Sequence, residues 1–248
     1  EEAALKVIHA ELHTDHNLVQ RFQSEIKALG SVSHPAVIDV IDWGEERGIW
    51  YLVMPLIKGK SLANRLRLGY LDLSSTKALA QSIASALVTC HAKGIIHRDI
   101  KPDNIMLKAD GSPVLIDFGI AHQEGLNKGN TGYSTGGYAP PEQQEGQKVD
   151  ASADLYALGM TLSKCLGRQQ AGQEPWAGLI NELTHFMPDR RGTAQSLLDK
   201  LSEAPKKYHA SANGQTEGPL SATEVATRVL AGADDLLLWW PEASGWTK

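Results

Sequence analysis

The most informative part of this chain is the octet His97-Arg98-Asp99-Ile100-Lys101-Pro102-Asp103-Asn104, which the triplet Asp117-Phe118-Gly119 follows. Phosphoryl transfer depends on positioning and charge neutralisation, so a site for it needs only a few side chains that are rigidly held. Asp99 is suited to accept the proton of an acceptor hydroxyl, while Asn104 and Asp117 are suited to hold magnesium against phosphate groups. The triplet alone would be uninformative, but its occurrence after the complete octet is very improbable by chance. Together they predict a phosphotransferase.

The octet and the triplet resemble the catalytic motifs of the protein kinase family. Lys101-Pro102-Asp103 after the aspartate is similar to the serine/threonine branch rather than the tyrosine branch. The resemblance extends from residue 3 to about residue 202 and implies the bilobal α+β kinase fold. It also implies transfer of the γ-phosphate of ATP, with Mg²⁺, to a Ser or Thr hydroxyl of a protein substrate.

In this family the catalytic loop divides the chemistry among few side chains. The resemblance implies that Asp99 is the catalytic base and that Lys101 steadies the γ-phosphate. Asn104 and Asp117 would bind the magnesium.

The nucleotide side of the family pattern lies upstream. Ala3-Ala4-Leu5-Lys6 resembles the strand that carries the family's phosphate-binding lysine, so Lys6 is implied to bind the α- and β-phosphates. Apolar residues at positions 18, 22, 26 and 29 predict a helix that Gly30 terminates. Glu25 lies on the flank of this apolar stripe, where we expect it to reach Lys6.

The apolar run from Trp50 to Met54 predicts a buried strand that leads into the hinge between the lobes. The resemblance makes Met54 the gatekeeper. It implies that the Pro55 carbonyl and the Ile57 amide bind the adenine edge. Pro55 stands where the family more often has Glu, but a proline retains the carbonyl that the contact needs.

Two structural pairs are implied downstream. Ala139-Pro140-Pro141-Glu142 resembles the element that closes the activation segment, and Arg191 is the implied ion-pair partner of Glu142. Asp154 begins Asp154-Leu-Tyr-Ala-Leu-Gly159 and would brace the catalytic loop from the next long helix.

The glycine-rich stretch between these motifs, residues 125–137, is interpreted as a flexible activation segment. Arg98 precedes the catalytic aspartate, and such an arginine commonly pairs with a phosphate on this segment. Thr131 and Ser134 are the candidate sites of autophosphorylation. Thr135 stands where the family's threonine contacts the catalytic aspartate and lysine.

The Gly-x-Gly-x-x-Gly loop that covers the phosphates in this family is missing from the sequence, because five residues precede Lys6 and no two glycines are spaced i, i+2. One interpretation is a fragment or a set of residues left out of the numbering. The other is a natural loss of the first two strands, which would favour a non-catalytic, pseudokinase-like scaffold. A small-molecule phosphotransferase is a further alternative, against which the peptide platform implied by Pro140-Pro141-Glu142 argues.

The net charge, the cysteines and the apolar runs limit the partners and the cellular setting that the sequence predicts. The net charge of −5 gives no electrostatic reason to expect nucleic acid or anionic membrane as a partner. Cys90 and Cys165 are the two cysteines, and both fall in apolar helical stretches, which favours free buried thiols in a reducing cytoplasm. The apolar run from Leu236 to Trp240 is too short to span a bilayer.

A second domain is expected after the kinase-like part. The predicted division is a kinase domain at residues 1–203, a charged, proline-bearing linker at 204–207 and a small domain at 208–248. In the small domain, Asn213-Gly214 predicts a hairpin turn, and Ser221 with Glu224 predicts the start of a helix. We expect that helix to direct apolar residues inward, and the chain from Leu236 to Trp240 to form a strand. The inward-facing residues expected in the helix are Val225, Val229 and Leu230.

This tail resembles the bacterial variant of the GYF-type module, a small β-rich α+β fold, because Gly218-Pro219 precedes the helix and Gly245-Trp246 closes the chain. The resemblance implies a proline-rich or extended peptide as ligand, stacked on an aromatic patch. Trp239, Trp240 and Trp246 are the candidates for that patch. An alternative is that these rings build the core of so small a domain.

Overall fold

The computed structural model describes residues 2–7, 16–118, 137–202, 208–212, 215–220, 222–230 and 236–239. The chain divides into two compact units, Glu1–Leu201 and Ser202–Lys248. None of the helices in these described parts combines the length and the apolar character that a bilayer span requires.

The first unit begins with an antiparallel sheet and one helix. The sheet has the strand order β1-β3-β2. Alternate residues of β3, namely Trp50, Leu52 and Met54, are buried, as expected of a strand with one face on a core. The elements are β1 (Ala3–Val7), α1 (His16–Gly30), β2 (Asp42–Glu46) and β3 (Ile49–Pro55).

A second small sheet frames the catalytic loop. It contains β4 (Gly59–Ser61), β5 (Ile105–Lys108) and β6 (Pro113–Leu115), in the order β4-β5-β6 with antiparallel pairing. Two helices, α2 (Leu62–Leu66) and α3 (Leu73–His91), lie between β4 and β5 in the chain. The octet therefore occupies the loop between α3 and β5, and Asp117 lies two residues after the end of β6.

The rest of the first unit is helical, with α5 packed on α3 and α6 packed on α5. Helix α5 buries most of one side, including Leu155, Leu158 and Leu162, and its Gly159 lies against α6 so closely that a Cβ there would be 2.8 Å from the side chain of Leu183. The left-handed conformation of Gly167 (φ 68°) breaks α5 near its end. The elements are α4 (Pro141–Gln144), α5 (Ser152–Ala171), α6 (Trp176–Leu183) and α7 (Ala194–Ser202).

Both cysteines belong to this helical core. Cys90 of α3 and Cys165 of α5 are fully buried and form no disulfide. Burial raises the pKa of each thiol to about 12. The thiolate, which is the reactive form, is therefore scarce at neutral pH.

The second unit is a three-stranded antiparallel sheet with one helix. Its strands have the order β8-β7-β9, and its small core contains Ala210, Leu220, Val225 and Leu236. Val225 is buried as predicted, but the prediction for Val229 is wrong, since that side chain is 55% exposed. Among the described residues, this core is too small to cover the last turn of the helix. The elements are β7 (Tyr208–Ala212), β8 (Gln215–Leu220), α8 (Ala222–Leu230) and β9 (Leu237–Trp239).

Candidate active site

The carboxylate of Asp99 is held by two side chains of its own loop. A 3-10 helix at Pro102–Asn104 turns Asn104 back, so that its Nδ2 donates to the Asp99 carbonyl at 2.8 Å and to Asp99 Oδ2 at 2.7 Å. Lys101 Nζ lies 2.8 Å from the same Oδ2 and 3.0 Å from Oδ1. These contacts hold both carboxylate oxygens of Asp99 in a fixed orientation.

The carboxylate of Asp154 holds the backbone of the loop that contains Asp99. This carboxylate at the start of α5 is fully buried and accepts hydrogen bonds from the backbone amides of His97 at 2.9 Å and Arg98 at 2.8 Å. The ring of His91 adds a third contact, with Nε2 2.8 Å from Asp154 Oδ2. A buried carboxylate needs such partners, because an unpaired one would carry a large desolvation penalty.

His97 is a site residue to which the sequence reasoning gave no role. It is fully buried, and burial lowers the pKa of its imidazole, which is therefore neutral at neutral pH. In the neutral form Nε2 can donate to the Ile116 carbonyl at 3.0 Å while Nδ1 accepts the amide of Asp99 at 3.3 Å. The ring thus connects the backbone of Asp99 to Ile116, the residue before Asp117. Its position two residues before Asp99 is the signal that could have revealed this role.

Two site residues have a left-handed backbone. Arg98 (φ 64°) and Asp117 (φ 55°) both adopt this conformation without being glycine. It costs an ordinary L-residue roughly 1–2 kcal/mol, so the surrounding contacts must hold it in place. For Arg98 these contacts include the Asp154 carboxylate on its amide and the side chain of Gln143, whose Nε2 donates to its carbonyl at 3.1 Å.

The end of the activation segment is anchored by a buried ion pair. Arg191 Nη1 lies 2.6 Å from Glu142 Oε1, and Nη2 lies 2.9 Å from Oε2, so that the guanidinium and the carboxylate form a bidentate ion pair. Arg191 also donates to the carbonyls of His185 and Phe186, at 2.7 and 3.0 Å. The structure thus brings together the two residues that the sequence pairs.

The nucleotide side differs from the sequence expectation. Lys6 Nζ contacts Asp117 Oδ1 at 2.9 Å rather than Glu25, and Glu25 Oε1 lies 3.4 Å from Arg98 Nη1. The expected pairing of Lys6 with Glu25 is therefore not the one found. The Lys6 and Asp117 side chains are 43% and 40% exposed. Exposed pairs differ by no more than about 1 kcal/mol, so sequence alone does not select between them.

The remaining predicted residues fall into two groups. Met54 is buried near the end of β3, while Pro55, the last residue of that strand, and Ile57 are half-buried. Their roles toward adenine stay predictions. Gly119 and the activation-segment residues lie outside the described residues; the latter are Thr131, Ser134 and Thr135.

The donor set at Asp117 and Asn104 fits magnesium that arrives with a nucleotide. Carboxylate and amide oxygens are hard ligands, and Mg²⁺ is usually held by one or two side chains together with phosphate oxygens and water. Asn104 uses its Nδ2 on Asp99, which leaves Oδ1 as the atom suited to a metal. The Lys6 ammonium on Asp117 shows that this carboxylate accommodates a cation. Within the described ranges, no group of three or more His, Cys, Asp or Glu could hold a metal by itself.

Comparisons with known proteins agree with this geometry. The sequence matches the protein kinase domain family over residues 1–185. It is 33% identical over 216 residues to serine/threonine-protein kinase pkn2 of Myxococcus xanthus, covering 84% of this chain and 25% of that protein. It is 36% identical over 167 residues to PknD of Mycobacterium tuberculosis (strain ATCC 25618 / H37Rv), covering 66% of this chain and 25% of that protein.

Solved structures give the same result. A crystal structure of the M. tuberculosis PknI kinase domain aligns with a TM-score of 0.66 at 26% identity, covering 80% of this chain and 84% of that chain. This chain spans about a quarter of the length of the curated relatives named above. The chain belongs to the protein kinase family.

Proposed function

We propose that this chain is the catalytic domain of a serine/threonine protein kinase, which transfers the γ-phosphate of ATP to a Ser or Thr hydroxyl of a protein. The observation that carries the proposal is the fixed carboxylate of Asp99, held by Lys101 and Asn104 in a loop that Asp154 braces. The named serine/threonine kinases among the relatives support the same substrate class.

The mechanism follows from where these groups point. As the acceptor oxygen forms its bond to the γ-phosphorus, its proton passes to Asp99 and the bond to the leaving phosphate breaks. Lys101, beside Asp99, offers a positive charge to the transferring group. Asp117 and Asn104 would hold Mg²⁺, which supplies neutralising charge to the phosphate oxygens when bound.

The test uses variants of the purified chain with a generic serine/threonine peptide and Mg-ATP. Asp99→Asn should lose phosphate transfer by roughly 10²-fold or more while keeping its affinity for nucleotide. Asp117→Asn should also lose magnesium-dependent nucleotide binding. Asp103→Asn, an exposed carboxylate of the same loop, is the matched control and should behave as wild type. Equal nucleotide affinity in wild type and Asp117→Asn would refute the assignment, and inactive wild type would favour the pseudokinase-like alternative.

Activation is proposed to use the charge on Arg98. A phosphate on Thr131 or Ser134 would compete with Glu25 for this guanidinium, because a dianion forms stronger charge-assisted hydrogen bonds than a carboxylate at 3.4 Å. The released Glu25 could then pair with Lys6, an ion pair that active protein kinases require. Mass spectrometry of active protein should find phosphate between residues 120 and 138; an unmodified segment in active protein would contradict this step.

For the second unit, we propose recognition of a proline-rich or extended peptide by a GYF-like fold. Trp239 is half-buried, and its ring lies 5.5 Å from that of His209, so that an aromatic surface is partly accessible. Trp240 and Trp246 lie outside the described residues. In a fluorescence titration with a proline-rich peptide, Trp239→Ala in the full chain should weaken binding while turnover on the generic peptide is retained. Unchanged affinity would remove Trp239 from the ligand surface.

A further inference from the structure

The peptide group that joins Arg98 to the base Asp99 is held at both ends. Its carbonyl oxygen, on Arg98, accepts a hydrogen bond from Gln143 Nε2 at 3.1 Å. Its amide, on Asp99, donates to His97 Nδ1 at 3.3 Å. Because the peptide group is planar, these two bonds together set the orientation of the backbone that carries the Asp99 side chain.

Gln143 occupies a special place in the chain. It is the third residue of α4 and directly follows Glu142, whose carboxylate is fixed by the buried pair with Arg191. Gln143 therefore connects the anchored end of the activation segment to the backbone of the catalytic loop. The two parts are 45 residues apart in sequence.

Only one end of the Gln143 side-chain amide has a hydrogen-bond partner among the described residues. Its Oε1 is buried and, among the described residues, has no hydrogen-bond partner. A buried acceptor without a partner is destabilising, so folding stability alone does not account for a glutamine here. The bond from Nε2 to the Arg98 carbonyl is the contact that distinguishes glutamine from an apolar side chain of similar size.

We propose that Gln143 is a positioning residue for phosphotransfer: it fixes the peptide plane between Arg98 and Asp99 and thereby places the base against the acceptor hydroxyl. The inference deepens the proposed kinase activity and depends on it. The left-handed Arg98 makes this control necessary, since its backbone does not rest in a broad energy minimum. A displacement of about 1 Å at a reacting group can lower a rate by as much as 10²-fold.

The test compares Gln143→Met with Gln144→Met. Gln144 is the neighbouring glutamine on α4, is exposed and donates to the Ala139 carbonyl at 2.6 Å, away from the catalytic loop. In Gln143→Met we expect kcat on a generic peptide to fall about tenfold or more. The KM for ATP should be unchanged, and Tm should move by about 3 °C or less, because the loss of one hydrogen bond is offset by removal of the unpartnered oxygen. Gln144→Met should keep wild-type kcat.

A second variant distinguishes the loss of the hydrogen bond from a change in packing. Gln143→Glu keeps the shape of the side chain, but its carboxylate cannot donate to the Arg98 carbonyl, so kcat should fall as in Gln143→Met. Wild-type kcat in either variant would overturn the inference, and so would an equal loss in Gln144→Met. Failure of the proposed function is distinct, because then the unmodified chain itself would transfer no phosphate.

Discussion

The region around Asp99 and the region around Lys6 hold their charges in different ways. Behind Asp99, the carboxylate of Asp154 is fully buried and bound by three donors, and Arg191 pairs with Glu142 out of contact with solvent. On the nucleotide side, Lys6 pairs with Asp117 where about two fifths of each side chain is exposed.

The region around Asp99, with Asp154, is therefore the preset part of the site, and the region around Lys6, with Asp117 and Glu25, is its adjustable part. A buried charge is tolerated only when all its partners are present, which leaves a single low-energy arrangement. An exposed pair is screened by water and exchanges partners at little cost. The proposed base Asp99 is therefore fixed in one arrangement, whereas Lys6 and Glu25 can change partners at little cost.

The largest effect should come from breaking a buried pair. Arg191→Leu leaves Glu142 charged and buried, and we expect the free energy of unfolding to fall by about 3–5 kcal/mol. The matched control is Lys200→Ala, which removes the exposed pair of Lys200 with Glu182 and should cost less than about 1 kcal/mol. Urea denaturation measures both. Equal losses would show that burial does not separate the two kinds of pair.

A second substitution tests how tightly the region behind the base is packed. In Gly159→Ala the new methyl would lie 2.8 Å from the side chains of Leu183 and Thr184, so overpacking should exceed the helical preference for alanine. We expect a net loss of about 1–2 kcal/mol. Gly178→Ala on α6, where the nearest atom to the new methyl is the carboxylate end of the Glu174 side chain, should instead gain up to about 1 kcal/mol. A stabilised Gly159→Ala would contradict the close contact of α5 with α6.

A smaller effect is expected from pH. His97 is buried and its pKa is lowered by burial, so the unfolded chain, with its ordinary value of 6.5, binds a proton more readily than the native one. Stability is therefore complete above pH 6.5 and declines as the pH falls from there through the native pKa of His97. Burial also lowers the pKa of His34, which acts in the same direction.

Denaturation of wild type and His97→Gln at pH 8 and at pH 5.5 measures this contribution. The variant should show a smaller decline between the two pH values. Identical declines would mean that His97 does not titrate on unfolding in this range.

The substitution of Lys6 should have the smallest effect on stability but a large effect on nucleotide binding. Lys6→Met removes an exposed pair and should alter the free energy of unfolding by less than about 1 kcal/mol. If Lys6 binds the nucleotide phosphates as proposed, the affinity for Mg-ATP should nevertheless fall about tenfold or more, because the variant cannot make this charge-assisted contact. Calorimetric titration of nucleotide checks this, with Lys27→Met, at an exposed lysine of α1, as the control. A Lys6 variant that unfolds would place Lys6 with the preset part of the site.

The preset part is also the part that the sequence predicts well. Asp99, Asn104 and Asp154 fall in short motifs of fixed spacing, and the structure brings them into one hydrogen-bonded cluster. The pairing of Glu142 with Arg191, which the family resemblance implied, is also present in the structure as a buried ion pair. Dense burial leaves few alternatives, so residue type and order along the chain are sufficient.

Three other residues were predicted less well, for physical reasons. Glu25 has Lys6 and Arg98 as alternative partners of similar energy, and the periodicity of α1 gives its face but not its partner. Gln143 carries no charge, and its bond to a backbone carbonyl leaves no pattern in the sequence. Val229 has the helical spacing of a core residue but lies beyond a core whose size the periodicity does not reveal.

The two buried cysteines make this protein convenient for distance measurements. The sequence contains no other cysteine, and thiols whose pKa is about 12 react slowly with maleimides or methanethiosulfonates at neutral pH. New surface thiols, such as Ser24→Cys on α1 and Ala109→Cys in the turn after β5, could therefore carry spin labels without removal of the native ones. The spacing between these labels, recorded as nucleotide is added, would report movement of the helix that carries Glu25 directly in ångströms.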